Sequence, residues 1–436
     1  METLTTAILL VAILLALLGS GAWIFIALIA ASVASLYFLL DFPLARIGSI
    51  SRSVMLKSVS AWELAAVPLF IFMGEIINRT DISRRLFRGL TPWVGHLPGG
   101  LLHSNVLGSV LFAAMSGSSV ATTATVGRVN VRELESRGYD SRLSIGSITV
   151  AGTIGIMIPP SITLIIYGLI AEVSVTQLFA AGLLPGLMLG ALYSGLIVAR
   201  CLLDPRLAPG ERGAAGIAAH FSGLLDLAPV VALIVFVLGG IYAGFATPSE
   251  AAALGVLGAL LVSLAGGGIR PRDLYAAAMS SVRITAMIGS AAAAAAFFAT
   301  TIGFLHLPQD LSRYITGLAL EPWMLLVILT GIYLLLGSVL ESIALILMTV
   351  PIVFPIVTAA GFDPVWFGIY LVLVVEIGLV TPPIGFNLFV MRGVTGLPIG
   401  HIAAAAVPFF LLMLLAVVIL SVFPGIALFL PELIAS

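Results

Sequence analysis

The dipeptide Pro159-Pro160, in GTIGIMIPPS (152–161), recurs as Pro382-Pro383, in GLVTPPIGFN (378–387), at an offset of 223 residues. The same offset links Gly138-Tyr139-Asp140 to Gly361-Phe362-Asp363, Gly155 to Gly378, and Pro185 to Pro408. One register held from Gly138 to Pro185 is the mark of a duplicated unit. Each proline pair removes two amide donors and clashes with the preceding turn, so an apolar helix is interrupted at the same place in both copies. A pair of interrupted hydrophobic segments in corresponding halves is the sequence sign of a membrane transporter.

The chain gives such breaks no aqueous setting. It is 61% hydrophobic and only 9% charged, with a mean hydropathy of +1.21. That composition predicts an all-α polytopic membrane protein. With roughly 20 apolar residues per span, about eleven spans plus two re-entrant hairpins are expected. The longest loop, 201–222, is too short for a soluble domain, so catalysis and nucleic-acid binding have no place to sit. No GxxxxGK[ST] motif is present, so the chain itself does not hydrolyse ATP. Cys201 is the only cysteine, and His96, His103, His220, His306 and His401 are scattered, which argues against a metal centre and an enzyme and implies no cofactor. The first residues, METLTTAILL, are apolar without a basic start, which predicts a retained first span rather than a cleaved signal.

Arginine placement orients the spans. Loops at 78–98, 128–142, 200–222, 266–272 and 395–400 hold or adjoin most of the 19 Lys and Arg, Arg212 among them. Arg46, Arg52, Lys57 and Arg313 fall on the other side, with Arg283 ambiguous. The basic side is the cytoplasm. Both flanks of 99–127 are basic, so that segment enters and returns as a re-entrant hairpin with its tip near Ser116-Gly117-Ser118-Ser119. Segment 322–358 repeats the pattern, turning near Gly337-Ser338, but its flanks lack basic excess. The second hairpin therefore opens to the opposite face and the repeats are inverted. DISRRLFRGL (81–90) and DLSRYITGL (310–318) precede the hairpins as amphipathic helices lying along the membrane surface. The expected organisation is N-terminal spans over 1–60 and a first repeat over 61–200 with its broken helix at 143–171. Linking spans occupy 201–283, and a second repeat occupies 284–436 with its broken helix at 365–394.

Irregular backbone inside a membrane is tolerated only where protein or a water-filled cavity satisfies it. The four interruptions, at Ser116–Ser119, Gly152–Ser161, Gly337–Ser342 and Gly378–Asn387, are thus the candidate ligand sites. Hydroxyls beside freed carbonyls around Thr153–Met157 suit a hard cation such as Na⁺. The candidates for that ion are Ser116, Ser118, Thr153 and Gly155 in the first half and Gly337, Ser338, Gly378 and Thr381 in the second. Half-helix N-termini beyond each break carry the positive dipole end and suit an anion. Ser119, Thr122, Pro159, Ser161, Ser342, Pro382 and Asn387 are the substrate-side candidates. Among charges, Glu75 suits pairing with Arg79 or Arg84, and Glu250 suits a first-turn role after Thr247-Pro248-Ser249. Glu341 and Glu376 lie nearest the breaks, and Arg283 either reaches the cytoplasm or balances Glu376.

The ordered set PLFIFMGEIINRTDISRRLFRGL (68–90), AAMSGSSVATTATVGRV (113–129), RGYD (137–140), IPPS (158–161), LFAAGLLPG (178–186), ATPSEAAALG (246–255), GFDPVWFGI (361–369) and TPPIGFNLFV (381–390) resembles the large permease subunit of the tripartite ATP-independent periplasmic (TRAP) transporters. The resemblance spans essentially the whole chain. It implies a bacterial inner-membrane symporter, surrounded by lipid, that uses a sodium gradient to import an organic anion. It also implies two partners, a periplasmic substrate-binding protein and a small four-helix membrane subunit, the latter expected as a separate polypeptide. The implied mechanism is an elevator, with 81–171 and 310–395 moving against a scaffold of the N-terminal spans, 177–200, 223–265 and the last span. Two other readings stand beside it. One is a stand-alone Na⁺- or H⁺-coupled dicarboxylate carrier; the other is an intramembrane enzyme, for which neither paired membrane aspartates nor an HExxH helix is present.

Overall fold

The computed structural model describes residues 2–209, 216–317 and 321–435. Arg212 and Leu318, which figure in the expected loops and surface helices, lie outside them. The described residues are helical and contain no strand. Five helices come first: α1 (Glu2–Gly19), α2 (Ile24–Phe38), α3 (Leu44–Val59), α4 (Ala66–Asn78) and the amphipathic α5 (Ile82–Val94). The first hairpin is α6 (Leu102–Ser116) with α7 (Ser119–Ser136). The first broken helix comes next as α8 (Ser141–Ala151), the single turn α9 (Ile154–Met157) and α10 (Ile162–Ala171). Then come α11 (Val175–Leu203), α12 (Ile217–Tyr242), α13 (Pro248–Ala265), α14 (Pro271–Phe304) and α15 (Leu307–Gly317). The second hairpin is α16 (Pro322–Gly337) with α17 (Ser342–Ala359), and the second broken helix is α18 (Pro364–Leu379) with α19 (Phe386–Thr395). The chain closes with α20 (Ile399–Val422) and α21 (Gly425–Ala435).

The repeated Gly-x-Asp has a local explanation. Gly138 and Gly361 take left-handed φ of 78° and 88°, which a side chain would resist. Two residues on, Asp140 accepts from the Leu143 amide at 2.7 Å, and Asp363 accepts from Val365 and Trp366 at 2.8 and 2.9 Å. Each copy is thus a turn leading into an N-cap, and it starts each broken helix at the same register.

Six helices are long and apolar enough to cross a bilayer, or eight spans if each of two bent pairs is one. Shorter apolar helices, α2, α6, α16, α18 and α21, make up the rest, because tips and breaks divide the hydrophobic chain.

Packing sorts the helices into two groups. The hairpins and broken helices lie with α11 and α20: α11 packs on α6, α9 and α18, and α20 on α8 and α18. The other group is α2, α3, α4, α12, α13 and α14, with α13 and α14 both against α4. Helix α5 lies on α12, where Gly89 and Gly223 bring the backbones together: a Cβ on Gly89 would fall 2.9 Å from the Gly223 carbonyl oxygen. Asp226 of α12 accepts from Arg85 at 3.1 Å and from both Nε and Nη2 of Arg88, at 2.7 and 2.9 Å.

Candidate transport site at the two helix breaks

In the first half, Gly117 turns the hairpin tip with φ 58°, and the tip sits in the break of α8–α10: a Cβ on Gly117 would lie 2.6 Å from the Pro160 carbonyl oxygen. Gly155 closes the other side, since its Cβ would meet Thr122 Oγ1 at 2.7 Å and the Ser118 carbonyl at 3.0 Å. Ser116, Ser118, Thr122 and Gly155 are therefore neighbours. Ser116 and Thr122 hydroxyls are 3.0 Å apart, and Thr122 also donates to the Ser118 carbonyl at 2.7 Å.

Several expected oxygens have local work. Ser118 and Ser161 cap α7 and α10, accepting from the amides of Ala121 and Leu164 at 3.3 Å each. Thr153 donates to Val150 at 2.7 Å and meets the Tyr193 hydroxyl at 3.3 Å, so its hydroxyl is drawn to α11. Of the carbonyls expected to be free around Thr153–Met157, those of Thr153 and Ile154 accept from Ile156 and Ile158, and the Gly152 carbonyl just before them accepts from Gly155, because the chain tightens into short turns before the prolines. Pro159 is buried with the whole of this break, which α11 covers: Gly182 backs directly onto the Met157 carbonyl.

The second half repeats the geometry with different chemistry. Gly337 at the tip abuts Gly378, and the Ser338 carbonyl accepts from the amides of Ile384 and Gly385 at 3.2 and 3.0 Å. Ser338 and Thr381 hydroxyls donate backward to Leu335 and Ile377, at 2.8 and 2.6 Å. Ser342 opens α17 and is buried. Glu341 caps α17, accepting from Ile343 and Ala344 at 3.0 and 3.3 Å. Pro382 and Pro383, unlike Pro159 and Pro160, are exposed. Of the four half-helix N-termini at the tips and breaks, α7, α10 and α17 are capped by their own Ser118, Ser161 and Glu341, whereas α19 starts at Gly385 without a side-chain cap.

Asn387 ties the halves together. Its Nδ2 donates to Ser119 Oγ of the first hairpin at 2.9 Å and leans toward the Thr149 carbonyl at 3.5 Å. Sequence spacing did not foresee Tyr193 or Thr149 here, and offered Glu376 only Arg283 as a partner. The repeat register does place Glu376 at the position of Thr153, an offset of 223, a signal that would have put it in the site. Arg283 does not balance it: Arg283 is exposed on α14, a helix packed on α2, α3, α4 and α17. Glu75 binds Arg79 at 3.0 Å and accepts from Ser280 at 3.0 Å, while Glu250 forms a capping box with Thr247.

A wide cleft lies elsewhere. It measures about 820 Å³, is lined by Lys57, Trp62, Glu63, Glu172 and Ser249, and lies at the N-terminal end of α13, between α3 and the α10–α11 turn. A smaller cleft with Arg79, Arg84, Arg85 and Arg270 is at the other end of α13, on the arginine-rich side.

Residues 11–426 match the family model described as tripartite ATP-independent periplasmic transporter, DctM component. The chain belongs to this family. It is 37% identical over 390 residues to the C4-dicarboxylate TRAP transporter large permease protein DctM of Pseudomonas aeruginosa, covering 87% of this chain and 90% of that one. It is 30% identical over 380 residues to the sialic acid TRAP transporter large permease protein SiaM of Vibrio cholerae, covering 87% and 88%. Among solved structures, the Alcanivorax borkumensis YdaH transporter shares the fold, with a TM-score of 0.62 at 15% identity over 88% of this chain and 89% of that one. Family membership makes this chain a multi-pass inner-membrane transporter subunit and not an enzyme.

Proposed function

We propose that the chain is the permease of a sodium-driven importer of a small organic anion, a carboxylate, working as an elevator. The observation that carries the anion reading is the second break. There α19 presents an uncapped N-terminus, with its positive dipole end, beside exposed Pro382-Pro383 and buried Asn387. The names of the Pseudomonas and Vibrio relatives, a C4-dicarboxylate and a sialic acid permease, support the same chemistry.

Sodium ions are assigned to the two tip-and-break junctions. The first is Ser116, Ser118 and Gly155 with Thr122 beside them; the second is Gly337, Ser338, Gly378 and Thr381. Oxygen donors at close quarters are what a hard cation requires. Thr153, turned toward Tyr193, enters this set only with a change of rotamer.

The packing supports a division of the elevator different from the one the resemblance implied. Helices α11 and α20 go with the mobile hairpins and broken helices, because they cover the breaks. Helix α5 stays with the scaffold, held on α12 by Asp226. The 820 Å³ cleft then lies between the two bodies, away from the arginine-rich face. The tripartite family description supports two partners, a small membrane subunit and a periplasmic binding protein.

The test is uptake of a labelled C4-dicarboxylate or sugar acid into proteoliposomes holding this chain and its membrane subunit, with and without an inward Na⁺ gradient and the binding protein. Uptake that requires all of these is the expected result. Uptake by this chain alone, or without Na⁺, overturns the reading and favours a solitary or proton-coupled carrier.

A further inference from the structure

Three acceptor atoms lie buried in the seam between the repeats without a hydrogen bond of ordinary geometry. They are both carboxylate oxygens of Glu376, whose residue is 1% exposed, and Oδ1 of Asn387, which is 0% exposed. Glu376 comes from α18 and Asn387 from α19, and both lean on Ser119 of the first hairpin. Asn387 donates to Ser119 Oγ, whereas the Glu376 carboxylate lies against that hydroxyl without a hydrogen bond of ordinary geometry. The other ionisable groups facing Glu376 are the Tyr193 hydroxyl and the Glu341 carboxylate, neither of them cationic.

A buried charge without a partner costs several kcal/mol, in order of magnitude, and native structures rarely leave buried acceptors unmet. Here carboxylate, amide and hydroxyl oxygens converge, a hard-oxygen set that suits Na⁺ and offers nothing to a soft metal. One carboxylate matches one positive charge.

We propose that Glu376, Asn387 Oδ1 and Ser119 Oγ form a further monovalent-cation site, separate from the two tip-and-break junctions, in which Na⁺ joins the first hairpin to the second broken helix. The ion is a clasp between repeats. Its occupancy reinforces the Asn387–Ser119 contact, so the mobile body is held together more tightly when the ion is present. The proposal rests on the sodium reading for the identity of the ion alone.

The test counts bound ions. Equilibrium binding of radioactive sodium to the purified full chain in detergent is compared for wild type, Glu376→Gln and Ser119→Ala, with thermal unfolding in sodium and in potassium buffer alongside. The expected result is the loss of one bound sodium per chain in Glu376→Gln and a smaller sodium-induced rise in unfolding temperature. In potassium buffer Glu376→Gln is expected to unfold above wild type, because its buried charge is gone. If Glu376→Gln is not recovered folded, Ser119→Ala answers the same question through weakened sodium binding.

An unchanged sodium count in a folded Glu376→Gln or unchanged affinity in Ser119→Ala overturns the seam site. Sodium-dependent uptake alongside that outcome leaves the transport reading intact. Conversely, a wild-type chain that loses one sodium on Glu376→Gln yet takes up substrate without a sodium gradient overturns the coupling and keeps the site.

Discussion

Gly378 faces Gly337 so closely that a Cβ at 378 would fall 2.6 Å from both the Cα and the carbonyl carbon of Gly337. Backbone meets backbone there, so no flexible side chain can give way. Gly378→Ala is expected to destabilise the chain by about 1–3 kcal/mol, the usual range for overpacking. It should also abolish uptake by pushing the second tip out of its break. Gly331→Ala, in a position with open space around it, is the matched control and should be near neutral. Thermal unfolding and proteoliposome uptake of both variants check this.

Removing the amide of Asn387 leaves Ser119 without its partner across the repeats. Asn387→Ala is expected to cost about 1–3 kcal/mol, the range for losing a buried hydrogen bond with its desolvation. Uptake should fall by more than the stability loss alone would account for, because the first hairpin is no longer held to α19. Unfolding midpoints and initial uptake rates on the same preparation separate the two effects.

Asp226 accepts a fork from Arg88 and a single bond from Arg85, and its side chain is only 16% exposed. A double-mutant cycle of Arg88→Ala and Asp226→Ala should therefore give a coupling at or above the ~0.2–1 kcal/mol of exposed pairs. Arg88 is 65% exposed, so the coupling should shrink as salt is raised. A coupling of zero in low salt would mean that Arg88 adds nothing to the hold of α5 on α12, leaving it to Arg85, Gly89 and Gly223.

The orientation of the first repeat is open to labelling. In a Cys201→Ala background, Ser136→Cys at the end of α7 should react with an impermeant thiol reagent only from the cytoplasmic side. Ser174→Cys, in the α10–α11 turn, should react only from the periplasmic side. Both positions are exposed, so access depends on sidedness and not on burial. The opposite pattern would invert the assignment.

Much of the fold could be read from spacing because its determinants are local. Gly138 and Gly361 need a left-handed backbone, Asp140 and Asp363 cap the helices that begin beside them, and paired prolines must stop a helix. The hairpin tips at Gly117 and Gly337 were legible for the same reason. Long-range packing was not. Nothing near Thr153 in the sequence says that Tyr193, forty positions on, takes its hydroxyl toward α11. Likewise α5 reads as a surface helix from its amphipathic pattern, yet Asp226, far along the chain, fixes where it lies. Glu376 was visible as a charge in an apolar run, but its full burial against Ser119 is a fact of three dimensions.

The two proline pairs began as the same motif and now live under different constraints. Around Pro159-Pro160 every neighbour is buried, so a change there must be matched by α11 and the first tip together, and the position has little mutational freedom. Pro382 and Pro383 themselves are exposed, so these two side chains can vary without repacking a core, although Leu379, Val380, Asn387 and Leu388 on either side are buried. Drift in ligand preference within such a duplicated protein would accordingly be concentrated in the second copy, while the first acts as the fixed frame against which it is tuned.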